Sequence, residues 1–301
     1  MPPHPDPAAA HPTLETLTAP RRPSALAPVD TYRVSLFVLL ALACSSLLSL
    51  PVALHVVPDS MLGLIVPLAQ LSPLVAALLV RRRDTGAPWY RDLALTIPSG
   101  RALAATAVAL VACFAAVPLL RVVLGLALGA PAAQDVPVAS LLLALPTVLV
   151  LQSLFAVGEE AGWRGWLHTQ LRPFGFWPAA LLTGGMWALW HAPIVLALGL
   201  HGREIIAYLG TIIAIAPLLA AARELTGTAW AAVVGHGLLN SLRVVIEQNT
   251  LGPLESGTAL ALDVVSWTLW IAAAWVLLRV LGPLRAGHRR VAARPTVAPA
   301  G

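Results

Sequence analysis

Between Val34 and Leu281 the chain is a succession of long apolar runs, separated by short stretches rich in Arg, Pro and Gly. A bilayer crossing needs about 20 such residues, so these runs have room for about eight. The expected fold is therefore an all-α, polytopic transmembrane helical bundle. Spanning length places its helices near 34–54, 61–80, 102–128, 141–171, 178–199, 204–221, 228–246 and 259–281. Charged residues make up only 11% of the chain, against roughly 25% in a water-facing globule, which excludes that class.

Eight prolines fall within residues 1–33, which read as a disordered cytoplasmic tail. Residues 282–301 read as a second, basic cytoplasmic tail. All nineteen basic residues are Arg. They are scattered between apolar runs rather than set along one face with aromatics, so no nucleic-acid partner is expected. With the N-terminus inside, sixteen of them fall on the cytoplasmic side; only Arg121 and Arg203 lie opposite, and Arg243 sits within the seventh helix. That asymmetry follows the positive-inside rule, so a multi-pass inner-membrane protein with both termini cytoplasmic is expected. Cys44 and Cys113 lie inside spans and suggest no disulfide framework.

Charged side chains at membrane depth cost at least ~2.5–3.5 kcal/mol on insertion scales and need a partner or a purpose. Three groups stand out: Gly158-Glu159-Glu160-Ala161-Gly162-Trp163-Arg164, Trp187-Ala188-Leu189-Trp190-His191, and Gly235-His236-Gly237-Leu238-Leu239-Asn240. Glu160 and Arg164 are four apart and share a helix face, so they are expected to pair. Glu159 points about 100° away and is left as the free carboxylate. His236 and Asn240 project together, flanked by glycines that admit a neighbouring helix. Counted from the cytoplasmic ends, Glu159 lies roughly 18 Å deep, His191 about 20 Å, His236 about 12 Å and Asn240 about 18 Å, so the groups can meet.

A carboxylate, two imidazoles and a carboxamide around one cavity form a hydrolytic set. Glu159 would take a proton from water and His191 would position that water. His236 and Asn240 would donate to an oxyanion. Glu159, His191 and His236 equally suit a divalent metal such as zinc with an open position for water, and the residues alone leave that choice open. Other intramembrane protease motifs, HExxH, GxGD and GxSG, are missing.

In this order, Glu159-Glu160…Arg164, Trp187…His191 and His236…Asn240 resemble the CAAX protease and bacteriocin-processing family of intramembrane proteases, which includes the Ras-converting CAAX endopeptidase. The resemblance covers residues 140–246 strongly and the first three helices only generically. Trp187 stands where many members carry Phe. The resemblance implies peptide-bond hydrolysis within the membrane, on a membrane-associated or lipid-anchored protein or peptide. It casts Glu159 as water activator, Glu160 and Arg164 as its supporting pair, and His236 and Asn240 as the oxyanion site. Two rival readings use the same residues: a non-catalytic immunity or scaffold protein that keeps the polar cavity for binding, and a proton-coupled transporter. In the blander readings, Glu160–Arg164 is only a structural ion pair and His236 and Asn240 only interhelical glue.

Overall fold

The computed structural model describes residues 28–82, 86–97, 101–133 and 136–292. Its elements are α1 (Thr31–Ala53), α2 (Leu62–Gln70), α3 (Ser72–Val80), a short α4 (Trp89–Asp92), α5 (Arg101–Ala127), α6 (Val138–Glu160), α7 (His168–Leu171), α8 (Phe176–Ala197), α9 (Arg203–Thr226), α10 (Trp230–Ser241), α11 (Gln248–Thr250) and α12 (Ser256–Ala292). Among the described residues, β-pairing is limited to one isolated bridge, Ala132 with Leu251. The molecule is an all-α, multi-pass membrane protein. The three motif-bearing helices α6, α8 and α10 gather at its centre, α6 packed on α10 and α8 between α1 and α9.

Several boundaries depart from expectation, each for a local reason. The second crossing is broken at Leu71 into α2 and α3, because Pro73 lacks an N–H and crowds the carbonyl four residues back. α9 runs past residue 221 to Thr226, where Gly227 in the left-handed region (φ 81°) caps it. α1 starts at Thr31, inside the stretch expected to be tail, with the Asp30 side chain accepting from the Arg33 N–H. Residues 1–27 of that expected tail lie outside the described residues, as do 293–301 of the C-terminal one. Between them, residues 282–292 extend the last helix to Ala292 rather than forming a loose tail.

Among the described residues seven helices are long and apolar enough to cross a bilayer, where about eight were expected. The segment expected at 228–246 does form a helix, α10, but His236, Asn240 and Arg243 dilute its apolar length. It continues as a π-helical segment, Leu242–Glu247, into α11. A second π-helical segment, Ala161–Leu167, joins α6 to α7, so the fourth crossing runs unbroken from Val138 to Leu171. Such widened turns are rare and concentrate at functional sites.

Close helix approach is made by glycine. A Cβ at Gly158 would collide with the Gln70 carbonyl and Leu71, one at Gly162 with Pro73, and one at Gly165 with the Leu93 carbonyl. The first two let α6 and its π-helical extension lie directly on the α2–α3 break, and Gly165 lets the extension meet the turn after α4. At the arginine-rich end, Ala94 (φ 54°) turns its carbonyl to the Ala229 N–H and the Thr228 hydroxyl, fixing the start of α10. Gly158→Ala should lower the thermal midpoint of the detergent-solubilised protein by an amount equivalent to about 1–3 kcal/mol of overpacking. Gly185→Ala, where the added methyl meets open space, should leave the midpoint unchanged or raise it.

Candidate active site

Glu159 and Glu160 close the regular part of α6 and are both buried. Their surroundings differ in kind. One oxygen of Glu160 accepts from Arg164 Nη1 at 3.0 Å and faces His236 Nδ1 at 2.8 Å. Glu160 and Arg164 have no exposed side-chain surface, so the expected ion pair exists and is sealed from solvent. A carboxylate oxygen only accepts, so the His236 contact is an Nδ1–H donation.

Glu159 stands outside the Arg164 ion pair, as the spacing suggested, but it has neutral hydrogen-bond partners that spacing does not reveal. Its Oε1 accepts from Gln70 Nε2 at 2.8 Å and its Oε2 from Trp187 Nε1 at 2.6 Å. Both donors are neutral. They orient the carboxylate without neutralising its charge.

Trp187 joins the set. The Arg164 guanidinium lies 4.0 Å from the centroid of its ring, a cation–π contact that covers the charge on its open face. The His191 and His236 rings meet the indole edge-on at 5.4 and 5.3 Å. His191 Nδ1 lies 2.9 Å from the Trp187 carbonyl. A carbonyl can only accept, so Nδ1 carries the proton and Nε2 the lone pair. Asn240 donates to Gln152 at 3.4 Å.

Glu159, His191, His236 and Asn240 all line one cavity of about 470 Å³, together with Gln70 and Gln152. It extends from Glu159 toward the helix ends at Leu62, Leu198 and Gln248, away from the arginine-rich end. On its other side, Phe37, Trp163, Trp166 and Trp190 pack ring against ring. Behind the site, Ser45 donates to the Trp190 carbonyl and Trp190 to Ser72 Oγ, each at 2.9 Å, tying α1, α3 and α8 together.

The donor set does not fit a three-ligand zinc centre. Among the described residues no three His, Cys, Asp or Glu side chains converge as ligands.

Sequence reasoning gave Gln70 and Gln152 no role, yet they hold Glu159 and Asn240. The available signal was an uncharged polar side chain inside an otherwise apolar run. It also took Trp187 only as a large aromatic, whereas its indole N–H is a ligand of Glu159.

Arg164→Met alone should cost about 3–5 kcal/mol, because Glu160 is left buried with its charge uncompensated. The double variant Glu160→Gln/Arg164→Met should recover part of that loss. Thermal unfolding of the purified proteins in detergent reads both; a double variant as unstable as the sum of its singles would show that the pair does not interact.

Residues 140–242, about a third of the chain and spanning α6 to the end of α10, match the family model described as type II CAAX prenyl endopeptidase Rce1-like. Among curated proteins none matches the chain.

Proposed function

We propose, from the match of residues 140–242 to the CAAX endopeptidase family model, that the chain hydrolyses a peptide bond in a membrane-associated or lipid-anchored substrate, with water activated by Glu159. The observation that carries this is the pairing of a buried carboxylate held only by neutral N–H donors with two imidazoles and a carboxamide on one cavity.

The chemistry follows from the donors. Water between Glu159 and the His191 Nε2 lone pair loses its proton to the carboxylate as its oxygen attacks the scissile carbonyl. The resulting oxyanion accepts from His236 Nε2–H and from an Asn240 N–H. Because His236 Nδ1–H is committed to Glu160, donation from Nε2 requires an imidazolium, and Glu160 supplies its counter-charge. With Arg164 the four ionised groups then sum to zero, which makes burying them tolerable. The proton on Glu159 passes to the leaving amine as the C–N bond breaks. No step passes through a metal ion, and activity is expected to survive chelators.

Arg asymmetry supports an orientation with the arginine-rich end cytoplasmic. The cavity points to the other end, so the substrate segment enters laterally or from that side. The aromatic wall of Phe37, Trp163, Trp166 and Trp190 argues against a proton path through the bundle, and so against the transporter reading. A scaffold or immunity protein would keep its cellular phenotype without Glu159.

Glu159→Gln preserves shape and hydrogen bonding but removes the base. In proteoliposomes supplied with lipidated Cys-aliphatic-aliphatic-Xaa peptides, it should lower cleavage about 10²–10⁴-fold with the thermal midpoint retained. Asn240→Ala should cost about 10²–10³ in kcat. Undiminished proteolysis by purified Glu159→Gln would sink the proposal.

A further inference from the structure

The cavity carries one charged side chain that the reaction above leaves unused. Arg243, three residues beyond Asn240 in the π-helical segment Leu242–Glu247, is exposed. It lines both the Glu159 cavity and a second cavity of about 280 Å³ beside it. Among the described residues it forms no ion pair; its guanidinium lies 5.5 Å from the centroid of the Tyr208 ring. The nearby acids are already engaged. Glu247 holds Arg121 at 2.9 Å, and Asp263 holds Arg121 at 2.8 Å and Arg203 at 3.0 Å. Glu204, the remaining acid on that wall, is half exposed beside His201.

An arginine on the wall of a cavity in a membrane bundle, with no acidic partner among the described residues, marks a ligand path. Its surroundings specify the ligand. Tyr208 takes the flat face of the guanidinium, which leaves the N–H edges for a planar, two-oxygen anion. The same Tyr208 ring lies 5.7 Å from His191, so the cation and the candidate water-positioning imidazole flank one aromatic side chain. An extended peptide advances about 3.3–3.6 Å per residue, so only a few residues fit between a carbonyl at the Glu159–His191 position and an anion at Arg243.

We propose that Arg243 binds the free α-carboxylate at the substrate's C-terminus, which makes the cavity selective for chain ends. This rests on the hydrolytic reading and adds to it a specificity-determining residue. A continuing chain or a terminal amide has no charge to offer the guanidinium, and binding it buries Arg243 without a counter-ion. Arg243 acts on placement of the substrate and touches neither the attacking water nor the oxyanion.

The test uses the full-length protein in proteoliposomes and one lipidated Cys-aliphatic-aliphatic-Xaa peptide made in two forms, as free acid and as C-terminal amide. The unaltered protein should take the acid with a KM roughly tenfold lower than the amide, the effect of one charge-assisted contact. Arg243→Gln should raise the KM for the acid by about the same factor, with kcat little changed and the amide unaffected, while Arg243→Lys restores part of the preference. Binding of both peptides to Glu159→Gln protein reads the same selectivity without turnover. Should Arg243→Gln not fold, the acid–amide comparison on unaltered and Arg243→Lys protein decides.

Equal use of acid and amide would overturn the subsite and leave the hydrolytic reading intact. Acid-selective, Arg243-dependent binding without any cleavage would do the reverse. A variant that weakens both peptides alike would assign Arg243 a purely structural part. Loss of a co-purifying phospholipid in Arg243→Gln, with no acid preference, would assign it to a lipid phosphate instead. Failure of both peptides to bind also overturns the subsite.

Discussion

Two adjacent carboxylates are buried in the interior of a membrane bundle, and the surrounding structure answers them in opposite ways. Glu160 receives a guanidinium and an imidazole on a single oxygen and is sealed from solvent. Glu159, one residue earlier, receives only an amide N–H and an indole N–H and faces a cavity. Neutral donors orient an anion without adding a counter-charge, whereas a cation supplies one. The helix turn between the two side chains thus separates a carboxylate sealed in an ion pair from one that faces the cavity.

Holding that difference in place requires irregular backbone. The α2–α3 break presents Gln70 to Glu159, and Gly158 and Gly162 remove the side chains that would keep α6 and its extension from it. Gly237 does the same on the other side, where a Cβ would strike Ser153 Oγ, one residue from the Gln152 that receives Asn240. Trp187 then links the two carboxylates: its N–H binds one, and its ring carries the cation that binds the other. Substitutions at Trp187 therefore act on both charges together, and their effects will not add with those at Arg164.

Most of the crossings, the Glu160–Arg164 pair and the meeting of Glu159, His191, His236 and Asn240 around one cavity were legible from spacing, because apolar length and helical rise dictate them. The break at Leu71 was legible too, in Pro73, but a spanning-length rule does not register a proline in mid-run. The π-helical segments after Glu160 and after Ser241 leave no mark in the pattern of apolar residues. Nor does spacing say which neutral polar groups from distant helices meet: Gln70 is 89 residues from Glu159, and only the glycine contacts bring them together. The segment 228–246 was expected to be a full crossing, and its own polar residues, His236, Asn240 and Arg243, keep it from that apolar length.

The most direct measurement is a single-turnover cleavage in H₂¹⁸O, with enzyme in excess over a lipidated Cys-aliphatic-aliphatic-Xaa peptide and mass spectrometry of both product and protein. If Glu159 acts as a base on water, one ¹⁸O enters the new peptide carboxylate in that first turnover and none enters the protein segment that contains Glu159. Label in the Glu159 carboxylate, or a trapped acyl adduct on it, would mean that the side chain attacks the substrate itself and would contradict a carboxylate held by Gln70 and Trp187 to activate water.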